Sequence, residues 1–168
     1  MDGTDFRIQQ VQPFWKGWYS HKFHGPGVRY EIGIGIQTGD IVWINGPFPC
    51  GAFADITIFR EKLKAVLESV GERAEADGGY DGEPMLIDLP TEGCFSGKRQ
   101  KYIKQRVRSR HETLNRRFKQ FFCLQRCFRH NIKMHKICLF AAVVIVQLEN
   151  KFGDGEVFQV KEYKTETH

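Results

Sequence analysis

Acidic residues stand at three places from which they could bind divalent metal ions. Asp2 and Asp5 lie in the first predicted strand, Asp77 precedes a Gly-Gly turn, and Glu112 lies in a long basic segment. Carboxylate oxygens are the ligands that Mg²⁺ and Mn²⁺ prefer. Two such ions about 4 Å apart stabilise the attacking and leaving oxygens of a phosphodiester. These residue types therefore favour metal-dependent chemistry on nucleic acid.

The segment from Lys98 to Lys119 contains ten Lys and Arg residues and one acid, Glu112. Its apolar residues repeat with the period of an α-helix and form one stripe, consisting of Ile103, Val107, Leu114, Phe118 and Phe121. Glu112 falls on the other side of this predicted helix, with Lys101, Gln105, Arg108, Ser109, Arg116 and Lys119. The helix would thus present one carboxylate among cations. The alternative is a solvated face on which Glu112 pairs with Arg108 and Arg116.

Asp77 ends a short predicted strand and is followed by Gly78 and Gly79. These small neighbours leave the carboxylate open to a ligand. The alternative is an ordinary Asp-Gly turn, in which the carboxylate serves the local backbone. A further acid, Asp55, begins a predicted helix, and we expect it to act as the helix N-cap.

The distribution of charge indicates an anionic partner. The chain has a net charge of +5 and a pI near 9.0. Residues 98–136 hold fourteen Lys and Arg against one acid, whereas residues 61–92 are rich in acids. Such asymmetry is typical of a protein that binds nucleic acid. The loop at residues 13–22 adds aromatic residues interleaved with cations, Lys22 among them, which either contact nucleic acid or pack as a flap over the domain edge.

The composition predicts one globular domain and excludes several other classes. A hydrophobic content of 41% and an aromatic content of 13% are typical of a folded chain. We expect no signal peptide, because the first residues are polar. The longest apolar run, Ile137–Val146, is too short to span a bilayer, so we expect no membrane partner. Five scattered cysteines indicate a reducing compartment.

Cysteine and histidine residues after the basic segment offer a competing metal site. The set consists of Cys123, Cys127, His130 and His135. Two residues separate the second cysteine from the first histidine, which differs from the usual spacing of a zinc finger. Cys123 and Cys127 also fit the apolar face of a helix, so we favour a packing role for them.

The elements that must position the acids alternate between strands and helices. Strict alternation predicts a strand at Tyr30–Gln37, in which Gly33 and Gly35 require a close neighbour on their face. The other predicted elements are a strand at residues 2–8, a returning strand at 41–44, a Pro/Gly loop at 45–54, a helix at 55–70, short strands at 73–80 and 85–89, the basic helix, and a buried helix at 132–149. This order predicts an α/β fold with a mixed sheet flanked by helices. Residues 153–168 are polar and predict a loose tail.

The sequence resembles the DDE superfamily of transposases and endonucleases from mobile elements, and in particular the Harbinger-like nucleases. The resemblance covers most of the chain and rests on long co-linear segments. These are DGTDFRI, WYSHKFHGPGVRYEIGI, IVWINGPFPCG, DITIFR, ADGGY, RVRSRHETLNRRFKQF, FRH and AAVVIVQL. The resemblance implies an RNase H-like fold and a metal-binding Asp-Asp-Glu triad that holds two Mg²⁺ or Mn²⁺ ions.

Motif by motif, the resemblance places the triad at Asp2 of DGT, Asp77 of ADGGY and Glu112 of RSRHETLNRRFK. Thirty-five positions separate Asp77 from Glu112, in keeping with the family. Asp5 is the rival of Asp2, but an odd offset along a strand points the two side chains to opposite faces. DNA is the implied partner, and we expect Lys22, Lys101, Arg108, Arg116 and Lys119 to contact its backbone.

The resemblance implies a catalytic domain at residues 1–152 whose first strand is truncated and liable to fray, since only Met1 precedes Asp2. Members usually carry a helical DNA-binding region before this strand, so a separate DNA-binding protein or domain is an expected partner. A homodimer and a nuclear location in a eukaryotic cell are further expectations. The alternative function is a catalytically inactive, transposon-derived remnant that only binds DNA.

Overall fold

The computed structural model describes residues 1–89, 98–153 and 155–163, apart from the side chains of Lys98, Gln100 and Lys101. Its strands are β1 (Asp2–Arg7), β2 (Tyr19–Ser20), β3 (Gly25–Ile34), β4 (Ile41–Pro49), β5 (Ala74–Glu75) and β6 (Ile87–Asp88). Its helices are α1 (Asp55–Glu61), α2 (Leu63–Val70), α3 (Lys98–Phe118), α4 (Phe122–Gln125) and α5 (Ile132–Phe152). The protein has the mixed α/β architecture that its sequence predicts.

Antiparallel and parallel strand pairs occur together. The long strand β3 pairs antiparallel with β1, β2 and β4, and the short strands β5 and β6 pair in parallel. The amino group of Met1 donates a hydrogen bond of 2.6 Å to the carbonyl oxygen of Glu75, which brings the start of β1 beside β5. The described strands therefore form two sheets, an antiparallel one of four strands and a parallel one of two, in place of the single mixed sheet that the order of predicted elements indicates.

The first strand is well paired, although we expected it to fray. Every residue of β1 has a partner in β3, from Asp2 opposite Ile32 to Arg7 opposite Gly27. The Met1–Glu75 hydrogen bond holds the start of the strand on its other side. Burial of four consecutive residues, Gly3–Phe6, adds tertiary packing to this backbone pairing. The strand that carries Asp2 is consequently fixed in place.

The main hydrophobic core lies between the sheet and the helices α3 and α5. Alternation along β3 sends Tyr30 and Ile32 into this core, where both are fully buried. The predicted stripe of α3 supplies Leu114 and Phe118, and α5 supplies Leu139. The apolar residues that alternate along β3 therefore pack against the apolar stripes of α3 and α5, and this packing fixes the orientation of α3.

A second core joins α1 and α2 to the parallel strands. It contains Met1, Phe59, Leu63, Leu67, Ala76, Tyr80 and Ile87. Trp43 of β4 packs against this second core. It also leaves little room for a side chain at position 33 of β3, because a Cβ atom at Gly33 would lie 3.0 Å from the Trp43 Cβ. The close neighbour that Gly33 was expected to need is thus confirmed, and helices cover both faces of β3.

Several element boundaries differ from the prediction; β3, for example, spans Gly25–Ile34 instead of Tyr30–Gln37. The predicted Pro/Gly loop at residues 45–54 is wrong in its first half, because β4 continues to Pro49 and pairs Phe48 with Arg29 across a register shift. The predicted helix at 55–70 is interrupted at Lys62, whose backbone leaves the helical region. Neither the extension of β4 nor the break at Lys62 can be predicted from composition, because both depend on packing against neighbouring strands and helices.

The last predicted helix, α5, is longer and less buried than expected. His135, Leu139, Ala142 and Val146 form its buried side. Large apolar residues on its other side are exposed, namely Ile137, Val144, Leu148 and Phe152. The apolar run at residues 137–146 thus describes a helix with one buried face and one exposed apolar face.

The segment after α5 also differs from the predicted loose tail. Phe158 and Val160 are fully buried. The Val160 amide donates to the Ile36 carbonyl oxygen at 2.9 Å, and the Tyr163 hydroxyl donates to Glu75 Oε1 at 2.6 Å. Residues 155–163 are therefore part of the packed domain, and the remainder of the predicted tail, at 154 and 164–168, lies outside the described residues. No helix of the described ranges is both long and apolar enough to cross a membrane.

Candidate active site

Asp2 stands at the start of β1, half-buried, next to charged neighbours of both signs. Burial raises the pKa of its carboxyl group. The ammonium group of Lys22 acts in the opposite direction and lowers that pKa, whereas the carboxylate of Asp77 raises it. The electrostatic influence of Asp77 means that two members of the predicted triad, contributed by different elements, lie near one another.

Asp77 follows β5 and begins a short 3₁₀ turn at Gly78–Tyr80. Its Oδ1 accepts a hydrogen bond of 2.9 Å from the Gly79 amide, so the local Asp-Gly role is present. The residue is nevertheless exposed, and the turn uses only one of its two carboxylate oxygens as a hydrogen-bond acceptor. The other oxygen remains available to a ligand, so the two roles predicted for Asp77 are compatible.

Glu112 lies on α3 with an exposed side chain. One helical turn later, Asn115 connects α3 to β1. Asn115 Oδ1 accepts a hydrogen bond of 2.8 Å from the Thr4 hydroxyl, and Asn115 Nδ2 lies 3.5 Å from Asp2 Oδ2, the outer limit for a hydrogen bond. Residues three apart share a face of a helix, so this contact keeps the Glu112 side of α3 towards Asp2.

Asp2, Asp77 and Glu112 line one cavity of about 990 Å³. They reach it from the start of β1, the turn after β5 and the middle of α3. Among the residues that the structure describes, no three His, Cys, Asp or Glu side chains form a closed group of metal ligands. The three carboxylates therefore share a cavity without being gathered round one point, and their oxygen donors are of the type that suits Mg²⁺ or Mn²⁺.

Asp55 has a different position from the expected N-cap. The N-cap residue is Ala54, and Asp55 is the first residue of α1. Its carboxylate lies against Gly3 and Gly79, since a Cβ atom on Gly3 would overlap Asp55 Oδ1 and one on Gly79 would lie 2.9 Å from Asp55 Oδ2. Burial raises the pKa of Asp55, and the carboxylates of Asp77 and Asp2 raise it further. Asp55 thus fills the space between the segments that carry Asp2 and Asp77.

Asp5, the rival of Asp2, serves the structure of the sheet. It lies directly opposite Arg29 in the β1–β3 pair, and Arg29 Nε donates to its Oδ1 at 2.7 Å. Burial alone would raise its pKa, but the hydrogen bonds from Arg29 and from the Ser20 hydroxyl hold the pKa of Asp5 below its ordinary value. Arg29 Nη1 also lies 3.2 Å from Asp55 Oδ1. One guanidinium group therefore neutralises two carboxylates that are not predicted ligands.

Of the predicted DNA contacts whose side chains are described, Arg108 is the one in the triad cavity. It lines the cavity that contains Asp2, Asp77 and Glu112. Its Nε and Nη2 atoms are shielded from solvent and have no hydrogen-bond partner among the described residues. Arg108 as a whole is half-buried, but shielded N–H donors without partners are costly, and an anion in the cavity would satisfy these two nitrogens.

The other predicted DNA contacts are distributed over the surface. Lys22 and Lys119 line a second, smaller cavity, whereas Arg116 is exposed and lines neither cavity. The side chain of Lys101 lies outside the described residues. The structure therefore brings Arg108 to the triad cavity and places Lys22 and Lys119 together beside it.

Two neighbours of Glu112 in the sequence point into the protein. Arg110 is buried and donates hydrogen bonds to the carbonyl oxygens of Gly35 and Ile36 at 3.1 and 3.0 Å. His111 is also buried, and burial lowers its pKa well below the ordinary value. A buried, neutral His111 therefore has a packing role.

The competing set of cysteines and histidines is spread over two environments. Cys123, Cys127 and His130 are exposed. His135 is fully buried, where its ring stacks on Tyr30 and its Nδ1 lies 2.9 Å from the Tyr30 hydroxyl. Burial lowers the pKa of His135 to about 4. Tyr30 therefore engages Nδ1 of His135, whereas the buried Nε2 of the same ring has no partner among the described residues.

Glu31 is a fully buried carboxyl group on the Asp55 side of the sheet. Trp43 Nε1 donates a hydrogen bond of 2.8 Å to its Oε2, and its Oε1 has no partner among the described residues. Burial raises the pKa of Glu31 from an ordinary 4.5 to about 7. The folded protein therefore keeps this carboxyl group protonated over a pH range in which the unfolded chain ionises it.

We expect Glu31 to make the folded protein less stable as pH rises. Because its folded-state pKa is raised, its contribution is fully present below pH 4.5 and is lost as pH rises through 7. Between pH 5 and pH 8 the loss should be on the order of 2 kcal/mol, and Glu31→Gln should remove it. Urea unfolding at the two pH values measures both proteins, with Glu68→Gln on the exposed face of α2 as the control. An unchanged pH dependence in Glu31→Gln would contradict the assignment.

Comparison of the chain with family models, with curated proteins and with solved structures finds no match.

The site also contains two residues that the sequence did not predict to be part of it, Asp55 and Asn115. Both stand in segments that carry the resemblance, DITIFR and RHETLN, and each lies at a fixed offset from a helix start or from Glu112. Their contacts, however, depend on how α1 and α3 pack on β1.

Proposed function

We propose that the protein is a metal-dependent DNA endonuclease or transposase catalytic domain of the DDE type, with an RNase H-like fold. The observation that carries the proposal is the shared cavity, which Asp2, Asp77 and Glu112 line from three separate elements together with Arg108, two of whose guanidinium nitrogens have no partner among the described residues. Carboxylates that share a cavity with a half-buried cation are suited to a metal-bound phosphodiester. The mixed α/β architecture, in which helices pack on both faces of β3, supports the proposed fold.

In this proposal Asp2, Asp77 and Glu112 hold two Mg²⁺ or Mn²⁺ ions. When bound, such ions lower the pKa of an attacking water or 3′-hydroxyl and neutralise charge that develops on the phosphate. The chain itself supplies orientation. Asn115 restrains the Asp2 carboxylate, Gly79 restrains that of Asp77, and Arg108 binds the phosphate.

Neighbouring residues keep the local charge in balance. Lys22 offsets the negative charge around Asp2, and Arg29 neutralises Asp5 and lies beside Asp55. The exposed cations Arg116 and Lys119, together with Lys101, would hold the DNA backbone, because contacts to phosphate orient nucleic acid without reading its sequence. A DNA substrate would place the protein in the nucleus if its source is eukaryotic.

A plasmid-nicking assay tests the proposal directly. The purified chain should convert supercoiled plasmid to the nicked form in Mg²⁺ or Mn²⁺, and EDTA should stop the reaction. Ca²⁺ serves as a control, because it occupies oxygen sites but has looser coordination geometry. DNA binding without nicking in any of these ions would favour the alternative function, an inactive remnant that only binds DNA. If the chain neither binds nor nicks DNA, both the nuclease function and the DNA-binding alternative are excluded.

A further inference from the structure

A second cavity of about 340 Å³ adjoins the first across the Asp2 side chain. Of the described lining residues, Asp2 is common to the two cavities. The second cavity is bounded by β1, by the turn before β3, and by the end of α3 with the following α4. Its volume lies within the range of ligand-binding pockets. A DNA strand that reacts beside Asp2 must extend beyond the first cavity, and the second cavity is adjacent to that point.

Three cations from separate segments line the second cavity: Arg7, Lys22 and Lys119. Lys22 Nζ donates one hydrogen bond of 2.8 Å to the Gly3 carbonyl oxygen, which leaves two of its three donors free. The guanidinium of Arg7 lies over the Phe23 ring, 5.0 Å from its centroid, so its direction is restrained. Lys119 at the end of α3 is exposed.

The acids of this cavity do not cancel the three cations. Asp5 is already neutralised, since both of its oxygens accept hydrogen bonds from Arg29 at 2.7 and 3.1 Å. Asp2 is the remaining acid and belongs to the proposed metal site. Asn115 and Gln125 add amide groups to the wall, and such groups often contact phosphate oxygens. The wall is therefore cationic and polar where the first cavity is acidic.

We propose that the second cavity is a phosphate-binding subsite, which holds a backbone phosphate of the DNA next to the phosphate that reacts beside Asp2. This inference rests on the proposed function and deepens it, because it gives the path of the substrate strand. The strand runs from Arg108 in the first cavity, past Asp2, to Lys22 and Lys119 in the second. Lys22 then has two tasks, since it also offsets the charge at Asp2.

The experiment measures binding of a fluorescent duplex oligonucleotide by anisotropy in EDTA, so that cleavage plays no part. The double variant Lys22→Gln/Lys119→Gln should lose on the order of tenfold in affinity, and the salt dependence of log K should become shallower by about 2. The matched control is Lys133→Gln/Lys136→Gln, which removes two exposed cations of α5. The control should change affinity less than about twofold and leave the slope nearly constant.

Two single variants keep the test valid if the double variant is unstable. Lys119→Gln removes an exposed side chain and should lose part of the affinity, whereas Lys22→Arg retains the charge and should bind as the unmodified protein does. Equal losses in the subsite and control variants would overturn the subsite.

The outcomes also separate the subsite from the proposed function. Weakened binding in the subsite variant of a protein that never nicks plasmid would support the subsite and reject the nuclease. Nicking with unchanged DNA affinity in the subsite variant would support the nuclease and reject the subsite.

Discussion

Replacing Asp77 with Asn or Glu112 with Gln should lower metal-dependent plasmid nicking about 1,000-fold. Each substitution preserves side-chain size but removes the charge that would hold a divalent ion in the shared cavity. Charge stabilisation by a metal contributes several kcal/mol to the transition state, and about 4 kcal/mol corresponds to a factor of 1,000 in rate. Initial rates of nicking in saturating Mn²⁺ measure the effect.

Matched controls are available for both substitutions. Asp81→Asn changes an exposed carboxylate four residues after Asp77, and Glu68→Gln changes an exposed one on α2. Both controls should nick at nearly the rate of the unmodified chain. DNA affinity in EDTA should be unchanged or slightly raised in all four variants, because removing negative charge does not weaken attraction to phosphate. Full nicking activity in Asp77→Asn or Glu112→Gln would exclude the triad.

The strands and helices that position the triad are predictable because their signals are local. Alternation at Tyr30, Ile32 and Ile34 reflects packing of one face of β3 in the main hydrophobic core, and the apolar stripe of α3 reflects burial of one side of a helix. The orientation of Glu112 follows from that stripe, since the side opposite Leu114 must face outward. The separation of Asp5 from Asp2 likewise follows from the period of a strand.

The environment of the triad could not be predicted, because it depends on contacts between distant segments. Asp55 reads as a helix cap, yet its carboxylate occupies the gap between Gly3 and Gly79. Arg110 reads as one more surface cation of a basic helix, yet it is buried against the carbonyl groups that follow β3. A charged residue gives no periodic signal that distinguishes these positions, so tertiary packing decides them.

The packing of the C-terminal segment was likewise not predictable from local sequence patterns. Residues 153–168 have the composition of a loose tail, but Phe158 packs against the turn at Gly39, where a Cβ atom would lie 2.8 Å from the Phe158 Cβ. The Arg117 guanidinium lies 4.9 Å from the centroid of the Phe158 ring. A single aromatic residue in a polar segment carries too little signal to predict such docking, although its burial adds to the stability of the fold.

Mg²⁺ or Mn²⁺ should raise the thermal stability of the unmodified protein, and the three triad residues should each control that response. The carboxylates of Asp2 and Asp77 interact unfavourably, as the raised pKa of Asp2 reflects after burial. An ion that binds only the folded state stabilises it by about 2.7 kcal/mol at 100 times its dissociation constant, which corresponds to about 5–10 °C for a protein of this size. Melting curves with and without metal give the shift.

The triad variants make this prediction specific. Asp77→Asn should melt at or above the temperature of the unmodified apo protein, because it relieves repulsion with Asp2, and both Asp77→Asn and Glu112→Gln should lose most of the shift with metal. Asp2→Asn should behave in the same way, since β1 is paired along its whole length and holds Asp2 in place. If Asp2→Asn kept the full metal response while the other two lost it, Asp2 would not be a ligand. An unmodified protein whose melting temperature ignores millimolar Mg²⁺ and Mn²⁺ would exclude a working metal site, because the shared cavity would then bind neither ion.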